Sequence, residues 1–579
     1  MSATSKPAPT AASVTKSTIG IGATRARHIP DILDVIAALS SDAVPTPPVL
    51  ARALLDLLPG EVWTNPGYRW LDPATKSGSI LREIARRLMA GLAEWEPDPE
   101  ARAEHILRNM LFGTAVTQVH GEMTRRSVYV SRDASSKLST VSFDAPDGNL
   151  PFVPAAHDYP TNKEGKASGP CRVCGAPVSL ERGDTRENYA YAFIHGAYPT
   201  EEMKYMQFDV IVGNPPYQIG MEGEDGKRTA NITPLYQMFV ERAIALEPKY
   251  VAMITPSRWF TGGKNLGEFR ARMIADRRLR RIVDNPKVFD CFPGVKIRGG
   301  VNYFLWDRDH NDDCEFSTRI DGVIQSTATR DLREGDGVII RDNQAASLVA
   351  KIKAKTKQTL AEVVSAQDPF GQSLKTNFKG GRATTFDGAV PLVFGSHVAY
   401  IRLDQLERNQ EWVNRWKVLL PMASSGDTAQ DETGRIVDVV LGEPIALGPG
   451  SACTQTYLVA GVFNTKTEAR NYANFLATKF VRFLVLQRKS TQHVTPERFR
   501  YVPMLDMKRA WTDEDLYEYF GLTKKEIDHI ESSIKPRSVN LSLDSAIPAS
   551  HLPGGAKYRV PGKERDQVEA AESDGEDDE

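Results

Sequence analysis

The 579-residue sequence contains no run of about 18 consecutive apolar residues, the length that a membrane-spanning helix needs. Its first residues, MSATSKPAPTAASVTKST, also lack the apolar core of a secretory signal, so we expect a cytoplasmic protein with no membrane partner. Cysteine is scarce, with five residues, which argues against a disulfide framework. Hydrophobic residues make up 41% of the chain, enough for more than one globular core.

Strong net charge is also lacking, since the formal value is only −2. The last eight residues, ESDGEDDE, hold six acidic groups, which leaves the rest of the chain mildly basic. A mildly basic body is compatible with a polyanionic partner. We expect a flexible acidic tail at residues 539–579. Residues 1–27 are rich in Ser, Thr, Ala and Pro, so we also expect a disordered N-terminus.

Strand-like and helix-like stretches alternate along residues 28–315. Strands are predicted at YRWLD, MLFGTAV, FDVIV, YVAMITP, LRRIVDN and GVNYFLWD, with helices at IPDILDVIAALS, TPPVLARALLDLLP, SILREIARRLMAGL, TPLYQMFVERAIAL and LGEFRARMIAD. In the second helix, Thr46 is the expected N-cap, before Pro47 and Pro48. The alternation predicts an α/β fold with a mostly parallel sheet and helices on both faces. After residue 315 the regularity is lost, which indicates a separate domain of mixed type.

The segment FDVIVGNPPY ends a buried strand with Asn214, Pro215, Pro216 and Tyr217. Two prolines hold the backbone rigid, so that the Asn214 side-chain oxygen and the Pro215 carbonyl can both serve as acceptors for an exocyclic amino group. Tyr217 offers an aromatic face on which a planar base or amide can stack. The alternative is an ordinary strand-end turn in which asparagine caps and the prolines terminate the strand.

A second strand end, LDPATKSG, carries Asp72 followed by small residues and Gly78. In a parallel sheet, ligands bind at the carboxyl ends of the strands, so both segments are expected on one rim. A glycine in such a turn lets the backbone approach a nucleoside-like ligand closely. Turns with Asp and Gly are also common in purely structural loops.

These motifs together resemble the adenine-specific (N6) DNA methyltransferases of type II restriction-modification systems, with the regions in the gamma-type order of cofactor, catalysis and target recognition. The segments CRVCGA, TPSRWFTGGK, CFPGVKIRGGVNYFLWDRD, TYLVAGVF and WTDEDLYEYFGLTKKEI extend the likeness over roughly residues 30–535. The resemblance implies a Rossmann-like methyltransferase sheet that uses S-adenosylmethionine and acts on an adenine flipped out of the duplex. It divides the chain into a cofactor-binding part (28–150), a Cys-containing insertion (151–200), a catalytic part (201–315) and a C-terminal α/β target-recognition domain (316–538).

Residue by residue, the resemblance assigns the base-binding and catalytic roles to Asn214, Pro215, Pro216 and Tyr217. The implied cofactor-binding residues are Thr46, Pro47, Asp72, Pro73, Ala74, Gly78 and Asn214, with Thr46 and Pro47 at the methionine end.

The sequence departs from the family pattern at Lys76, where glycine is usual, and after LFGTAV, where an acidic residue normally holds the ribose. Glu122 is a candidate for that role, or a solvated helix residue. Phe289 or Phe292 is a candidate to cover the second face of the base, although core packing is the stronger interpretation for both.

The pair Cys171 and Cys174 in CRVCGA has the spacing of half a zinc knuckle. His157 and His195 are candidates to complete a structural Cys2His2 site, in which the metal orders a polar loop. The alternative is two buried thiols without a metal. In the C-terminal region, two segments mix basic and aromatic residues and are candidates for DNA contacts, although solvated surface is the stronger interpretation for any one of these residues. They are LQRKSTQHVTPERFRYVP, with Arg488, Lys489, Arg498, Phe499, Arg500 and Tyr501, and SLKTNFKGGR, with Lys375, Lys379 and Arg382.

The favoured function is therefore a site-specific DNA methyltransferase whose partner is double-stranded DNA and whose cofactor is S-adenosylmethionine. We expect the chain to modify DNA without cutting it, with any restriction endonuclease encoded separately. Two other functions remain open. One is a protein-glutamine methyltransferase, because the same pocket can present a side-chain amide. The other is a non-catalytic DNA-binding defence component in which Lys76 has abolished donor binding.

Overall fold

The computed structural model describes residues 45–176, 178, 192–196, 206–219, 233–292, 297, 299–375, 377–394, 397–422, 429–430, 436–437, 440–489 and 493–535. The helix predicted at residues 29–40 and the two predicted flexible termini lie outside these ranges. The chain divides into two compact units, Met1–Trp259 with Gly263–Arg333, and Phe260–Gly262 with Glu334–Glu579. In the described ranges, no helix is long and apolar enough to cross a membrane.

Strands and helices alternate in the first unit, as the sequence pattern predicts. Its elements are α1 Pro48–Leu55, β1 Trp70–Thr75, α2 Ser79–Gly91, α3 Pro99–His105, β2 Leu111–Ala115, α4 Gln118–Tyr129, β3 Val210–Gly213, β4 Gln218–Ile219, β5 Thr233–Pro234, α5 Tyr236–Ala245, β6 Tyr250–Pro256, α6 Gly267–Ala275, β7 Leu279–Asn285, β8 Val301–Asp307, β9 Cys314–Ile320 and β10 Val323–Arg330. Every strand predicted between residues 46 and 307 is present, with ends shifted slightly.

Eight of these strands form one sheet in the order β10-β9-β7-β8-β6-β3-β1-β2. The four neighbours β2, β1, β3 and β6 are mutually parallel. Strand β8 is antiparallel to both β6 and β7, which therefore run in the same direction. The result is a mixed α/β unit with a large, mostly parallel sheet, in agreement with the predicted class. Because the carboxyl ends of β1, β3, β6 and β7 meet along one rim, the residues that follow these strands can form one site.

Both faces of the sheet are covered, which is why its central strands are apolar throughout. Trp70, Val210, Val212, Ala252 and Ile254 pack into one core with α1 and α2. Their alternate neighbours, such as Leu71, Ile211 and Val251, are also fully or nearly fully buried and point to the opposite face. A rigid, water-free sheet of this kind fixes the strand ends on which the site depends.

The predicted domain boundary at 315/316 falls inside β9, and the first compact unit extends to Arg333. Strands β9 and β10 form an antiparallel hairpin at the edge of the sheet. Its turn contains Asp321 and Gly322, both with positive φ, as a tight hairpin requires. The exposed edge strand β10 carries many polar residues. The apolar pattern from which the sheet was predicted therefore stops before β10, although β10 belongs to the sheet.

The second unit is a mixture of helices and short strands, as expected from the irregular sequence. Its elements are α7 Asn343–Lys355, β11 Val390–Phe394, β12 His397–Ile401, β13 Trp416–Pro421, β14 Ala429–Gln430, β15 Ile436–Val437, β16 Ile445–Leu447, β17 Ala452–Cys453, β18 Tyr457–Phe463, α8 Lys466–Ala477, α9 Lys479–Leu486, α10 Asp513–Phe520 and α11 Lys524–Ser533. Two three-stranded sheets, β12-β11-β17 and β16-β13-β18, contribute to two hydrophobic cores. Its function as a target-recognition domain remains a prediction.

Candidate active site

Strands β1 and β3 are parallel neighbours, with Trp70 paired to Val210 and Leu71 to Ile211, so their carboxyl ends lie side by side. Asp72, in β1, is 3% exposed, and its Oδ1 accepts a hydrogen bond of 3.0 Å from the Ala74 N–H. On β3, a Cβ added at Gly213 would lie only 3.2 Å from Asp72 Oδ1. Glycine at this position therefore lets β3 pass Asp72 closely and brings Asn214 to the same rim.

The turn after β1 is fixed by α4. Gly78 has a φ of +74°, and a Cβ there would lie 3.0 Å from the Thr124 Cα, so glycine suits both the conformation and the space. Thr124 Oγ1 donates to the Lys76 carbonyl at 3.2 Å, and Ser127 Oγ donates to the Ser77 carbonyl at 2.6 Å. Residues 76–78 thus form a rigid turn between β1 and helix α2.

Three titratable groups, Asp72, Lys76 and His120, influence one another next to this turn. Burial raises the pKa of Asp72 to about 7, against the opposing effects of the Ala74 N–H and the Lys76 charge. Burial, together with the Lys76 charge, lowers the pKa of His120 to about 4, so this imidazole is neutral near pH 7. His120 Nδ1 lies 2.8 Å from Thr117 Oγ1, whereas its buried Nε2 has no hydrogen-bond partner among the described residues. Sequence reasoning missed His120, because nothing in the local pattern distinguishes it from an ordinary helix residue.

Asn214 is held by Thr46, 168 residues away in the sequence. The Asn214 Nδ2 donates to Thr46 Oγ1 at 3.1 Å, and the Ser79 hydroxyl donates to the Thr46 carbonyl at 2.7 Å. The prediction that Thr46 caps helix α1 is wrong, because Pro47 occupies the N-cap position without a side-chain cap. Since a proline follows at the first helical position, one fewer N–H needs a cap, and the Thr46 hydroxyl is used for Asn214 instead.

The other side-chain atom of Asn214, Oδ1, is buried and has no hydrogen-bond partner in the part of the chain that the structure describes. An unpaired buried acceptor is costly, so such an atom commonly marks a place where a ligand binds. The two following prolines, Pro215 and Pro216, are buried as well. Burial of this strand end leaves little freedom for the Asn214 amide to move.

Tyr217 follows the prolines and packs against Phe292, edge to face, with ring centroids 6.5 Å apart at 79°. Its hydroxyl is buried without a partner in the described ranges, and burial raises the pKa of Tyr217 well above its ordinary value. Of the two phenylalanines considered for the base pocket, Phe292 is a buried core residue, whereas Phe289 is 72% exposed. Phe292 therefore contacts Tyr217 and is also part of the core, as the core-packing interpretation predicts. Phe289 is not a core residue, so that interpretation is wrong for it.

A buried polar network, which sequence reasoning missed, joins the ends of β6 and β7 to the start of β8. The Ser257 hydroxyl donates to Asp284 Oδ1 at 2.7 Å. Asn302 Nδ2 donates to the Thr255 carbonyl at 3.1 Å, and the Thr255 hydroxyl donates back to Asn302 Oδ1 at 3.2 Å. All four residues are buried. The signal was available, because β7 ends in Asp-Asn directly after apolar residues, just as β3 ends before asparagine.

The four predicted metal ligands, His157, Cys171, Cys174 and His195, come together in the first unit. One ligand atom from each lies within 4.8 Å of all the others, and both thiols are buried. Cys174 Sγ is 3.4 Å from His157 Nδ1, and Cys171 Sγ is 4.0 Å from His195 Nε2. Two thiols and two imidazoles at these separations suit a tetrahedral zinc ion.

The predicted DNA contacts in LQRKSTQHVTPERFRYVP are mostly wrong. Arg488, Arg498, Phe499 and Tyr501 are all buried in the second unit. Arg488 lies over the Tyr501 ring at 4.9 Å, and both side chains donate hydrogen bonds to the Gly335 carbonyl. The mixture of basic and aromatic residues here builds the interior of the unit. Of the other candidates, Lys375, Lys379, Arg382 and Arg500 are exposed, and Lys489 is half-buried.

With this site in view, comparisons with known proteins identify the family. A curated "Uncharacterized adenine-specific methylase" from Mycoplasma pneumoniae is 34% identical over 320 residues, covering 51% of this chain and 74% of the relative. Residues 109–292 match the family described as Eco57I restriction-modification methylase. The chain belongs to this family of adenine-specific DNA methyltransferases. The protein-glutamine and non-catalytic alternatives are thereby disfavoured, and the family implies S-adenosylmethionine as donor and DNA as substrate.

Solved structures resemble this methyltransferase only distantly. A structure from a study of complex assembly in the type I restriction-modification system has 14% identity and a TM-score of 0.29, covering 48% of this chain and 45% of that one. The DrdV–DNA complex has 12% identity and a TM-score of 0.38, covering 84% of this chain and 56% of that one. The methyltransferase spans about half the length of these two chains. Similarity at this level establishes nothing further about its activity.

The rim fits S-adenosylmethionine, judged by its own polar atoms. His120 Nε2 and Thr75 Oγ1 are buried without partners in the described ranges. Together with the Asp72 carboxyl, they can pair with the amino and hydroxyl groups of a nucleoside-linked amino acid. These groups lie on β1 and on the helix that follows β2.

The buried Asp72 should destabilise the ligand-free methyltransferase at neutral and alkaline pH. Its folded pKa of about 7 lies above the ordinary value of 3.8, so the folded state retains a proton that the unfolded chain has released. The resulting contribution to stability is lost as the pH rises from about 4 to about 7, by up to about 4 kcal/mol. Asp72→Asn mimics the neutral acid. We therefore expect this variant to gain thermal stability over the wild type at pH 8 but not at pH 4.5.

Thermal melts at both pH values check this expectation, with the exposed Asp144→Asn as the matched control. The control should shift the melting temperature equally and only slightly at both pH values. A melting difference for Asp72→Asn that does not change with pH would show that the carboxyl is already ionised at low pH.

Proposed function

We propose that the chain is the site-specific modification enzyme of a type II restriction-modification system, with its regions in the gamma-type order. It methylates the exocyclic amino group of an adenine that has been flipped out of double-stranded DNA. The observation that carries this proposal is the buried Asn214 Oδ1, an acceptor without a partner in the described ranges at the end of a central strand. Motif order in the sequence supports the type and the region order.

The donor would lie at the end of β1 and along the turn that follows. The residues that would hold it are Asp72, Pro73 and Ala74 in β1, Gly78 in the turn, Thr46 and Pro47 at the methionine end, and Asn214. When bound, S-adenosylmethionine supplies an electrophilic methyl group. His120, with its neutral imidazole and unpaired Nε2 at the helix after β2, would take the place of the missing acidic residue in binding the ribose. Lys76 adds a positive charge beside Asp72, which partly opposes the rise that burial causes in the pKa of this carboxyl.

Asn214 and Pro215 would act on the target base. An adenine amino nitrogen is a weak nucleophile, because its lone pair is delocalised into the ring. When Asn214 Oδ1 and the Pro215 carbonyl accept its two hydrogens, the nitrogen becomes more pyramidal and its lone pair is directed for attack. Thr46 holds the Asn214 amide so that Oδ1, rather than Nδ2, faces the base. Pro216 keeps the segment rigid, Tyr217 stacks on the base, and the surplus proton of the amino group passes to solvent.

The second unit would read the DNA sequence. The exposed Lys375, Lys379 and Arg382 lie in a loop before β11, where long cationic side chains can reach phosphates and base edges. Cleavage would be the task of a separately encoded endonuclease. Incubating the purified chain with unmethylated plasmid and Mg2+ tests this division of labour, since double-strand cleavage by the chain alone would contradict it.

The Cys2His2 cluster would bind one zinc ion in a purely structural role. Four protein ligands fill a tetrahedral shell, so no coordination position is left for a substrate. The surrounding segment has little regular secondary structure in the described residues, and a metal is an efficient way to order such a segment.

Asn214→Ala is expected to lower the rate of methyl transfer at least tenfold, since a lost acceptor raises the barrier by at least about 1.4 kcal/mol. Binding of S-adenosylmethionine, measured by calorimetry, should change far less than the rate, since the other residues proposed to hold the donor are unchanged. Thr46→Val removes the hydroxyl that holds the amide, so we expect an intermediate loss in kcat. An Asn214→Ala enzyme that keeps more than a tenth of the wild-type rate would rule out the proposed role.

The same variant serves as the control for substrate identity. Modification-sensitive sequencing of DNA from a methylation-free host expressing the wild type should reveal N6-methyladenine at one recurrent sequence. DNA from a host expressing Asn214→Ala should lack the mark. Methylation of cytosine, or at random adenines, would contradict site-specific adenine modification.

One zinc per chain is expected in protein purified without a histidine tag. Changing Cys171 and Cys174 to serine should remove it, because serine is a much weaker zinc ligand. Cys314→Ser is the matched control, since Cys314 is also buried but lies outside the cluster, and it should retain the metal. Mass-spectrometric metal analysis decides the matter, and a zinc content near zero in active wild-type enzyme would eliminate the site.

A further inference from the structure

The zinc cluster lies between two parts of the first unit that flank the catalytic segment. On one side, the chain that leads to His157 runs beside β2. The Gly113 N–H donates to the Asn149 carbonyl at 3.0 Å, and the Ala115 N–H donates to the Pro151 carbonyl at 2.9 Å. The first ligand is therefore tied to the edge of the main sheet.

On the other side, the segment that carries His195 packs on helix α5. Phe193, two residues before the ligand, stacks on Phe239 with centroids 5.8 Å apart at 23°, and both rings are buried. Gly196, directly after the ligand, lies beside α5 as well, since a Cβ there would be 3.5 Å from an Nη2 atom of Arg242. The second half of the cluster thus rests on the helix that begins at Tyr236.

The cluster also lies close to the hairpin that follows the catalytic tyrosine. A Cβ at Gly175, the residue after Cys174, would be 4.0 Å from Thr233 in β5. Strand β5 pairs with β4, which begins directly after Tyr217. The Leu235 N–H, between β5 and α5, donates to the Tyr217 carbonyl at 3.1 Å. A short series of contacts therefore connects the metal ligands to the backbone of the residue proposed to stack on the base.

We propose that the metal braces the target-base side of the rim, an inference that rests on the proposed zinc site. Phe193 is the positioning residue that couples the metal cluster to α5 and to the β4–β5 hairpin. Tyr217 needs such a brace. Its hydroxyl makes no hydrogen bond within the described ranges, so the ring is positioned by packing, and the Leu235 N–H holds only the Tyr217 backbone. The donor-binding turn at residues 76–78 is held separately, by α4.

Weakening this coupling should therefore have different effects on the two substrates, the methyl donor and the DNA. Weakening the coupling leaves the donor turn intact and loosens Tyr217, so the DNA steps suffer while donor affinity does not. A general loss of stability would affect both substrates together. The split between donor affinity and DNA kinetics therefore distinguishes a positioning role from a merely structural one.

The test compares Phe193→Ala, Phe193→Leu and the wild type as full-length enzymes. For each, zinc content, the Kd for S-adenosylmethionine, and kcat and KM for DNA are measured. The DNA is an unmethylated duplex that carries the sequence found by modification-sensitive sequencing. We expect Phe193→Ala to keep one zinc and to bind the donor within about twofold of the wild type, but to lose at least about tenfold in kcat/KM for DNA. Phe193→Leu, which keeps an apolar contact with Phe239, should recover most of this loss.

The outcomes separate this inference from the zinc site itself. Absence of zinc from active wild-type enzyme would overturn the metal site and the brace together. One zinc per chain with wild-type DNA kinetics in Phe193→Ala would overturn the brace alone. Should Phe193→Ala fail to fold, Phe193→Leu carries the test, with at least about a threefold loss in kcat/KM for DNA expected, and unchanged kinetics would count against the brace.

Discussion

The hydrogen bond between Asn214 and Thr46 is the interaction on which the candidate active site depends. It joins the start of α1 to the end of β3, two segments that are distant in the sequence, and determines which atom of the Asn214 amide is left unpaired. A free asparagine amide can present either its oxygen or its nitrogen. Once Nδ2 is bound to Thr46, the oxygen is presented, so the site offers an acceptor and favours an amino group as its ligand.

The rest of the first unit keeps this strand end in place. Parallel strands with helices on both faces exclude water from β1, β3 and β6, and Gly213 allows β3 to pass within contact of Asp72. Burial has a cost, since it raises the pKa of Asp72 and leaves several polar atoms without partners in the described ranges. In the proposed function, the bound donor and the target base would supply the missing contacts and so offset this cost.

The Cys-containing insertion follows a different physical strategy from the sheet. In the described residues around the cluster, few large apolar side chains are buried, whereas two thiols and two imidazoles converge within a few ångströms. Phe193 is the exception, and it points away from the ligands toward α5. Metal coordination and one aromatic contact can together attach such an insertion to the sheet without a hydrophobic core of its own.

Local sequence predicted six strands and four helices of the first unit, because apolar runs such as FDVIV and YVAMITP favour buried strands and the turns between them carry glycine and proline. It did not predict α3, α4, β4, β5, β9 or β10. It also predicted the rim, the Asn-Pro-Pro-Tyr segment and all four residues of the Cys2His2 cluster. Only the tertiary structure decided what depends on distant contacts: that Thr46 binds Asn214 instead of capping α1, that His120 lies next to the turn after β1, and that Arg488 and Tyr501 are interior residues. Periodicity records whether a side chain is apolar, but a polar side chain is buried only where it finds a hydrogen-bond partner, and that partner is fixed only when the chain has folded.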